Sequence, residues 1–384
     1  MKKDYIFTPG PTPVPPAVRL AQVNMVHHRS ADFGELLGRV LEGLKYVFQT
    51  RNEVILLTSS GTGAMEGSIA NCFSTGDKVA VFSGGKFGER LVDISRYFGL
   101  DVIAIEYEWG DCADPEDLKR VLEENQDLKG VMLTHSETST GAVNDVEAFG
   151  RIMAGTDALF LVDSISGLGA VDLRTDEWNV DLAMSGSQKG LMTPPGLAFV
   201  AVSDRAWNAI ESATLPRYYF CFKAARAAQS KTPPQTPYTP AITLVQALDE
   251  AIKMIREEGL DNIFERHHVL ATATRAAVEA LGLKFFASDR TRANVATSVW
   301  SPDGINSGDL VRMMRTQFGT FIAGGQGKMK GRIFRLGHVG YFDRFDILTQ
   351  VSALEMALSR LGFEIELGSG VTAALKVLAA SLRE

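Results

Sequence analysis

The segment Ser185-Gly186-Ser187-Gln188-Lys189-Gly190 sets a lysine among small residues, just after the apolar run Val180–Met184 and before Leu191-Met192-Thr193-Pro194-Pro195-Gly196. A lysine on its flexible stem ordinarily points into water. Ringed by Gly and Ser, it can be held in a crowded pocket where a second molecule approaches the backbone. Burial lowers a lysine's proton affinity and turns its amine into a nucleophile. Upstream, Asp163 closes another apolar run, Ala158-Leu159-Phe160-Leu161-Val162. An acid at one strand end and a lysine at a later one is the pair that pyridoxal phosphate requires. The lysine forms the imine, and the acid keeps the pyridine nitrogen protonated so that the ring accepts electrons.

Other strand ends supply further parts. Val54-Ile55-Leu56-Leu57 runs into Thr58-Ser59-Ser60-Gly61-Thr62-Gly63 and then a helical segment. Strand, Gly/Ser turn and helix start form a phosphate cup, since free backbone N–H groups and the helix dipole favour an anion. A plain helix cap looks similar, and the spacing fits neither a Walker lysine nor a dinucleotide fingerprint. Lys78–Phe82 ends in Ser83-Gly84-Gly85-Lys86-Phe87, where Phe87 among glycines reads as a plate for a flat ring or as a core residue. Gly130–Thr134 ends in the hydroxyl-rich His135-Ser136-Glu137-Thr138-Ser139-Thr140-Gly141. Strand–helix alternation over 54–200 predicts a mainly parallel sheet with helices on both faces. The polar groups fall after the strands, where ligands bind such sheets. The strand 197–202 is expected to run antiparallel.

With 384 residues the chain has length for two domains. Apolar residues make up 45% and charged ones 22%, with a net charge of −7, an ordinary globular composition that argues against a nucleic-acid or membrane-surface partner. No apolar run approaches the roughly 20 residues of a membrane span. Neither terminus reads as a secretory leader or a peroxisomal address. Cys72, Cys112 and Cys221 are odd in number and widely spaced, which speaks against a disulfide framework or a metal site and for a reducing cytoplasm. The adjacent His27 and His28 lack further ligands at helical spacing, so no metal is expected there.

Residues 7–16 hold five prolines and read as a stiff extended arm packed on the body. Residues 212–240 read as a long irregular loop. A helix over 241–258 leads to a hinge at Gly259-Leu260-Asp261. Beyond it, helices over 261–281, 306–318 and 343–360 and strands over 283–286, 295–300, 321–322 and 332–336 make a smaller α/β domain. The division is 1–16 arm, 17–258 large domain, 259–384 small domain. In the last, Arg335 lies in the apolar strand Ile333-Phe334-Arg335-Leu336 and must pair with something. An internal salt bridge and a bidentate clamp on a substrate carboxylate are both open.

Taken together, Thr-Pro-Gly-Pro-Thr at 8–12, Tyr-Val-Phe-Gln-Thr-Arg-Asn at 46–52, Ser-Gly-Thr-Gly-Ala-Met-Glu at 60–66, Thr-His-Ser-Glu-Thr-Ser-Thr-Gly at 134–141, Val-Asp-Ser at 162–164, Ser-Gly-Ser-Gln-Lys at 185–189, Pro-Pro-Gly at 194–196 and Arg-Leu-Gly at 335–337 resemble the class V aminotransferases. The branch resembled is that of the alanine–glyoxylate and serine–pyruvate enzymes, over essentially the whole chain. The resemblance implies the pyridoxal-phosphate fold type I, with a seven-stranded type of sheet in the large domain, and a homodimer with shared sites. It implies that Lys189 and Asp163 are catalytic and that Ser60, Gly61, Thr62 and Gln188 hold the phosphate. Thr138 would bond near the ring's phenolic oxygen, with Phe87 on one ring face, where some relatives use Trp, and Ile165 on the other. Arg335 and Gly10 would bind substrate. The segment matching 235–239 would reach the neighbouring subunit's phosphate, and this chain has Gln235 and Tyr238 where relatives carry Tyr and Thr. Cys221 stands where relatives carry Asp.

The implied reaction is a ping-pong transamination from alanine or serine to glyoxylate or pyruvate. No second arginine stands out for a distal carboxylate, which leans against aspartate or glutamate as donor. Three rivals remain. A phosphonate or ureido-type aminotransferase shares the fold. A cysteine desulfurase needs a thiol in the smaller domain, and all three cysteines precede it. A partner subunit that binds the cofactor without catalysis is the third.

Overall fold

Runs such as Val54–Leu57 and Leu159–Val162 are apolar at every position, as strands covered on both faces must be. The computed structural model describes residues 3–382. Readings that touch Met1, Lys2, Arg383 and Glu384 lie outside the described residues. The chain opens with β1 (Tyr5–Ile6), α1 (Pro16–Leu20) and α2 (Ala31–Phe48). Strands and helices then alternate: β2 (Glu53–Leu57), α3 (Gly61–Cys72), β3 (Lys78–Ser83), α4 (Lys86–Tyr97), β4 (Asp101–Glu106) and α5 (Pro115–Glu124). Next come β5 (Gly130–Thr134), the short hairpin β6 (Ser136–Glu137) and β7 (Ala142–Val143), α6 (Val146–Met153), β8 (Leu159–Asp163), β9 (Leu182–Gly186) and β10 (Ala198–Val202). Four helices succeed them: α7 (Asp204–Ser212), α8 (Phe222–Gln229), α9 (Ile242–Glu258) and α10 (Leu260–Ala280). The remainder is β11 (Ala296–Trp300), α11 (Ser307–Phe318), β12 (Thr320–Phe321), β13 (Ala323–Gly324), β14 (Ile333–Gly337), α12 (Arg344–Arg360) and α13 (Ser369–Ala380).

Seven strands form the central sheet in the order β2-β10-β9-β8-β5-β3-β4. As expected, β10 is antiparallel to both neighbours, and the remaining pairs are parallel. Side chains alternate between two cores. Val54, Leu56, Phe160 and Val162 join α2, α6 and α9, while Ile55, Leu57, Leu159 and Leu161 join α3, α4, α7 and α8. Because β2 and β9 both oppose β10, the carboxyl ends of β2, β3, β5, β8 and β9 share one edge of the sheet.

A second sheet, β11-β14-β13, is antiparallel and packs with α10 to α13 around a separate apolar core. The proline-rich arm is tied down rather than free. β1 pairs with β12 in parallel, Tyr5 with Thr320 and Ile6 with Phe321, and Phe7 is buried against Phe342.

Three expectations change. Residues 283–286 form no strand; Phe285 makes one isolated bridge to Val299, because the chain leaves the sheet edge at once. The segment 212–240 contains α8, which packs on β2, puts Phe222 and Ala225 into the core and buries Ala228. The last helix, α13, is absent from the sequence reading; its Ala374 and Leu378 pack on α10. Among the described residues no helix is long and apolar enough to cross a membrane.

Candidate active site

Lys189 is buried in the loop between β9 and β10. The loop closes on itself. Thr193 N–H donates to Ser187 O (3.0 Å), Ser187 Oγ to Pro194 O (2.7 Å) and Met192 N–H to Lys189 O (3.0 Å). Gly190 is required by contact, since a Cβ there would lie 2.4 Å from Leu168 O. The N-terminal arm crosses over this loop. Thr12 N–H donates to Gln188 O (3.2 Å), Thr12 Oγ1 to Lys189 O (3.1 Å) and Lys189 Nζ to Pro9 O (3.1 Å). The amine has no carboxylate at hydrogen-bond distance among the described residues. Burial, and then the Arg335 guanidinium, lower it to about 8.

Gly10 lies against that lysine. A Cβ there would fall 2.2 Å from Lys189 Cδ and 2.3 Å from Nζ, at a φ of +148° that side chains avoid. Gly10→Ala should therefore displace the amine. Turnover, measured as kcat/KM, should fall about 10²-fold, the cost expected if that amine is a reacting group.

Asp163 ends β8 next to β9. Its Oδ1 accepts the Ile165 N–H (2.9 Å), and Ser164 N–H donates to Met184 O (2.9 Å), which fixes the turn. Burial pushes its carboxyl up to about 7, with Ile165's N–H opposing. Behind it, His135 N–H donates to Asp163 O (2.8 Å), and the ring Nδ1 lies 3.0 Å from Ser164 Oγ. Ile165 leans on Gly61, where a Cβ would meet its Cδ1 at 2.6 Å.

Ser60 is the N-cap residue of α3, yet its hydroxyl makes no cap bond. Gln188 Oε1 is buried without a partner. A Cβ on Gly186 would sit 3.0 Å from that oxygen and 3.4 Å from Gly61 N, so the cup and the lysine loop meet there. A buried acceptor without a partner beside the free N–H groups and open hydroxyl of a helix start marks a place for an oxygen-rich, hydrogen-bonding group.

Phe87, half-buried in the first turn of α4, is held through its backbone; its N–H donates to Glu137 Oε2 (2.9 Å). Arg90, one turn on, lies 5.0 Å from the Phe87 ring centre and donates from Nη1 to Thr62 Oγ1 (3.2 Å). The sequence singles out no second arginine for a distal carboxylate; Arg90 is a second arginine within electrostatic reach of Asp163 and Lys189, and its contacts are with Thr62 and Phe87. Residues three apart on a helix share a face, so the spacing from Phe87 was the available signal. Arg90 also works to lower both Asp163 and Lys189.

Arg335 reaches in from β14. Its Nη1 donates to Thr138 O (2.7 Å), and Nε and Nη2 donate to Gly324 O (3.0 and 2.8 Å). The internal salt bridge left open by the sequence is not formed among the described residues. Two of the five guanidinium N–H groups keep no partner there, a fork available to a carboxylate. Thr138 Oγ1 lies 3.4 Å from Ser166 Oγ.

Gln235 and Tyr238 lie on the segment between α8 and α9 and bond to none of these groups among the described residues. Gln235 Oε1 accepts from Arg29 Nη1 (3.3 Å); Tyr238 stacks on Tyr219 at 4.5 Å and donates to its carbonyl (3.0 Å). Cys221 is the N-cap residue of α8. The three thiols are free, and no group of three or more His, Cys, Asp or Glu is placed to hold a metal among the described residues.

A buried lysine and acid at the carboxyl edge of this sheet, above an anion cup, define a transferase of the pyridoxal-phosphate fold type I. Comparison with known proteins agrees. The ureidoglycine–glyoxylate aminotransferase of Bacillus subtilis superposes with a TM-score of 0.95 at 32% identity, over 99% of each chain. Residues 6–332 match the family model for class-V aminotransferases. The chain belongs to that family and is an aminotransferase. The serine–glyoxylate aminotransferase of Methylorubrum extorquens is 37% identical over 98% of this chain and 96% of its own. A protein of Synechococcus sp. (strain PCC 6716) named soluble hydrogenase, small subunit, is 44% identical over 98% of both.

Proposed function

We propose that the chain is a pyridoxal-phosphate-dependent aminotransferase that moves an amino group from a small α-amino acid, alanine or serine, to glyoxylate or pyruvate. The observation that carries the reading is the buried Lys189, whose amine is bonded to Pro9 O and not to a carboxylate, within electrostatic reach of the buried Asp163. The orphaned Gln188 Oε1 and uncommitted Ser60 hydroxyl at the start of α3 fit a phosphate. Ser60, Gly61, Thr62 and Gln188 would hold that phosphate, Phe87 and Ile165 the ring faces, Thr138 the phenolic oxygen and Asp163 the ring nitrogen. When bound, pyridoxal phosphate supplies the electron sink and carries the amino group between the halves of a ping-pong exchange. Lys189 Nζ would anchor it and, once displaced by the donor's own amine, would be free to take the proton from substrate Cα, a role for which an amine lowered to about 8 is suited. Arg335 turns its two free N–H groups to the substrate carboxylate, and Gly10, having no side chain, leaves room for the Lys189 side chain itself. The arm and the sheet β11-β14-β13 cover the site and limit water.

The reading extends to a cytoplasmic homodimer in which Gln235 and Tyr238 serve the neighbouring subunit's cofactor. It also divides the chain into an arm (1–16), a large domain (17–258) and a small one (259–384), hinged at Gly259, where α9 gives way to α10. The Bacillus subtilis structure favours a ureido-type amine as a second donor class, with glyoxylate as acceptor.

Amino acids added singly to the cofactor-loaded protein test the proposal. Loss of the visible cofactor band with alanine or serine, and its return with glyoxylate or pyruvate, is expected. A response to ureidoglycine alone selects the second reading, and binding without any half-reaction would reduce the chain to a cofactor-holding subunit. In cofactor-free protein, acylation of Lys189 should rise with pH around a midpoint near 8. Arg335→Gln should move that midpoint upward, because the lost cation favoured the neutral amine.

A further inference from the structure

One buried carboxylate is given no role in the reading above. Glu137, at the end of β6, is 1% exposed and pairs with no cation at contact distance among the described residues. Its Oε2 accepts the N–H groups of Phe87 (2.9 Å) and Gly88 (3.1 Å), at the start of α4. Its Oε1 accepts Ser139 N–H (3.1 Å) and Ser139 Oγ–H (2.5 Å), and Lys86 N–H donates to Ser139 Oγ (2.9 Å). The orphan donors that begin a helix are thus met by one acid and its neighbour, where the helix dipole also favours negative charge. The fit leaves no room at Gly85, where a Cβ would lie 2.3 Å from Glu137 Cγ and Cδ.

The other end of the same residue shapes the far side of the site. Thr140 and Gly141 N–H groups donate to Glu137 O (3.1 and 2.9 Å), closing a tight turn. That turn presents Thr138 O to Arg335 Nη1. The ring-facing phenylalanine and the carboxylate-facing arginine therefore hang on one residue, from opposite directions.

We propose that Glu137 is a positioning residue for the reaction, its side chain fixing Phe87 through the first turn of α4 and its backbone turn fixing Arg335 through Thr138. This rests on the aminotransferase reading. Reach, not charge alone, is what the geometry demands. Glu137→Gln keeps an oxygen for Phe87 and Gly88 but turns an amide N–H₂ toward the Ser139 N–H. Glu137→Asp keeps the charge but is one methylene too short to span the gap. Positioning therefore orders the proteins wild type, then Gln, then Asp; a role through charge alone reverses the variants.

The test compares the three proteins loaded with pyridoxal 5′-phosphate. Read out are the induced visible circular dichroism of the bound cofactor, its dissociation constant, and kcat and KM for the amino donor. Asp is expected to lower kcat/KM about 10²-fold, with a higher donor KM and an altered dichroic band, and Gln to fall between. If Asp does not fold, Ser139→Ala replaces it, removing one tie to Oε1 and one to α4, with a smaller change of the same kind. An Asp variant (or, in its place, Ser139→Ala) with unchanged dichroism and kcat/KM within twofold of wild type overturns the inference, as does Asp outperforming Gln. Wild-type protein that binds no pyridoxal phosphate overturns the underlying reading instead and takes this inference with it.

Discussion

Lys189→Ala is expected to lower the donor half-reaction by at least about 10⁴-fold, the upper range for loss of a general base, since the covalent anchor goes as well. The fold should survive. Among the described residues the side chain makes a single hydrogen bond, to Pro9 O, and the loop around it is closed by Ser187 and Thr193. The cup also survives, because Ser60, Gly61, Thr62 and Gln188 do not depend on the amine. Pyridoxal phosphate should still bind, more weakly and without borohydride trapping. Stopped-flow absorbance and fluorescence titration measure the two quantities separately. Turnover within tenfold of wild type would remove Lys189 from the centre of the mechanism.

Asp163→Asn should cost about 10³-fold in the same half-reaction, the scale on which a charge-stabilising contact at a reacting centre acts. Asn can keep the bond from Ile165 N–H, so the turn after β8 persists and only the charge is lost. The variant has a second signature. Burial raises the folded carboxyl to about 7 from its ordinary 3.8. Keeping this group charged costs folding stability above pH 7, and the cost vanishes below the unfolded value. Without cofactor, the Asn variant should therefore melt above wild type at pH 8, and the difference should disappear toward pH 4. A scan showing the reverse slope would mean that a cation neutralises Asp163 in the folded chain. That outcome would show the acid to be held at the expense of stability, as functional groups often are.

The parts of the site that lie on strand ends were readable, because an apolar run punctuated by Gly and Ser fixes both the strand and the turn at its end. Asp163, Lys189, Ser60 and Phe87 are of this kind. The parts that act across the sequence were not. Arg90 looks like an ordinary helix residue until α4 turns it onto Phe87 and Thr62. Glu137 sits in a run of hydroxyls whose meaning comes only from its contact with α4. Helix α8 escapes the sequence because it is only eight residues long and lies between the aromatic stretch 218–220 and the proline-rich stretch 232–240, and α13 because its apolar residues are not confined to one face, so that packing decides it.

Local chemistry alone determined a doubly covered, mainly parallel sheet and a lysine–acid pair at its edge, since continuous apolar strands, turn glycines and a charge in an apolar setting each have few physical solutions. What tertiary structure decided was the company those residues keep. Thr8 to Thr12 cross Lys189, Arg335 binds carbonyls from two other segments instead of an acid, and Glu137 ties Phe87 to Thr138. Such contacts join positions up to nearly two hundred residues apart, and nothing in a residue's immediate neighbours encodes which distant group will satisfy it.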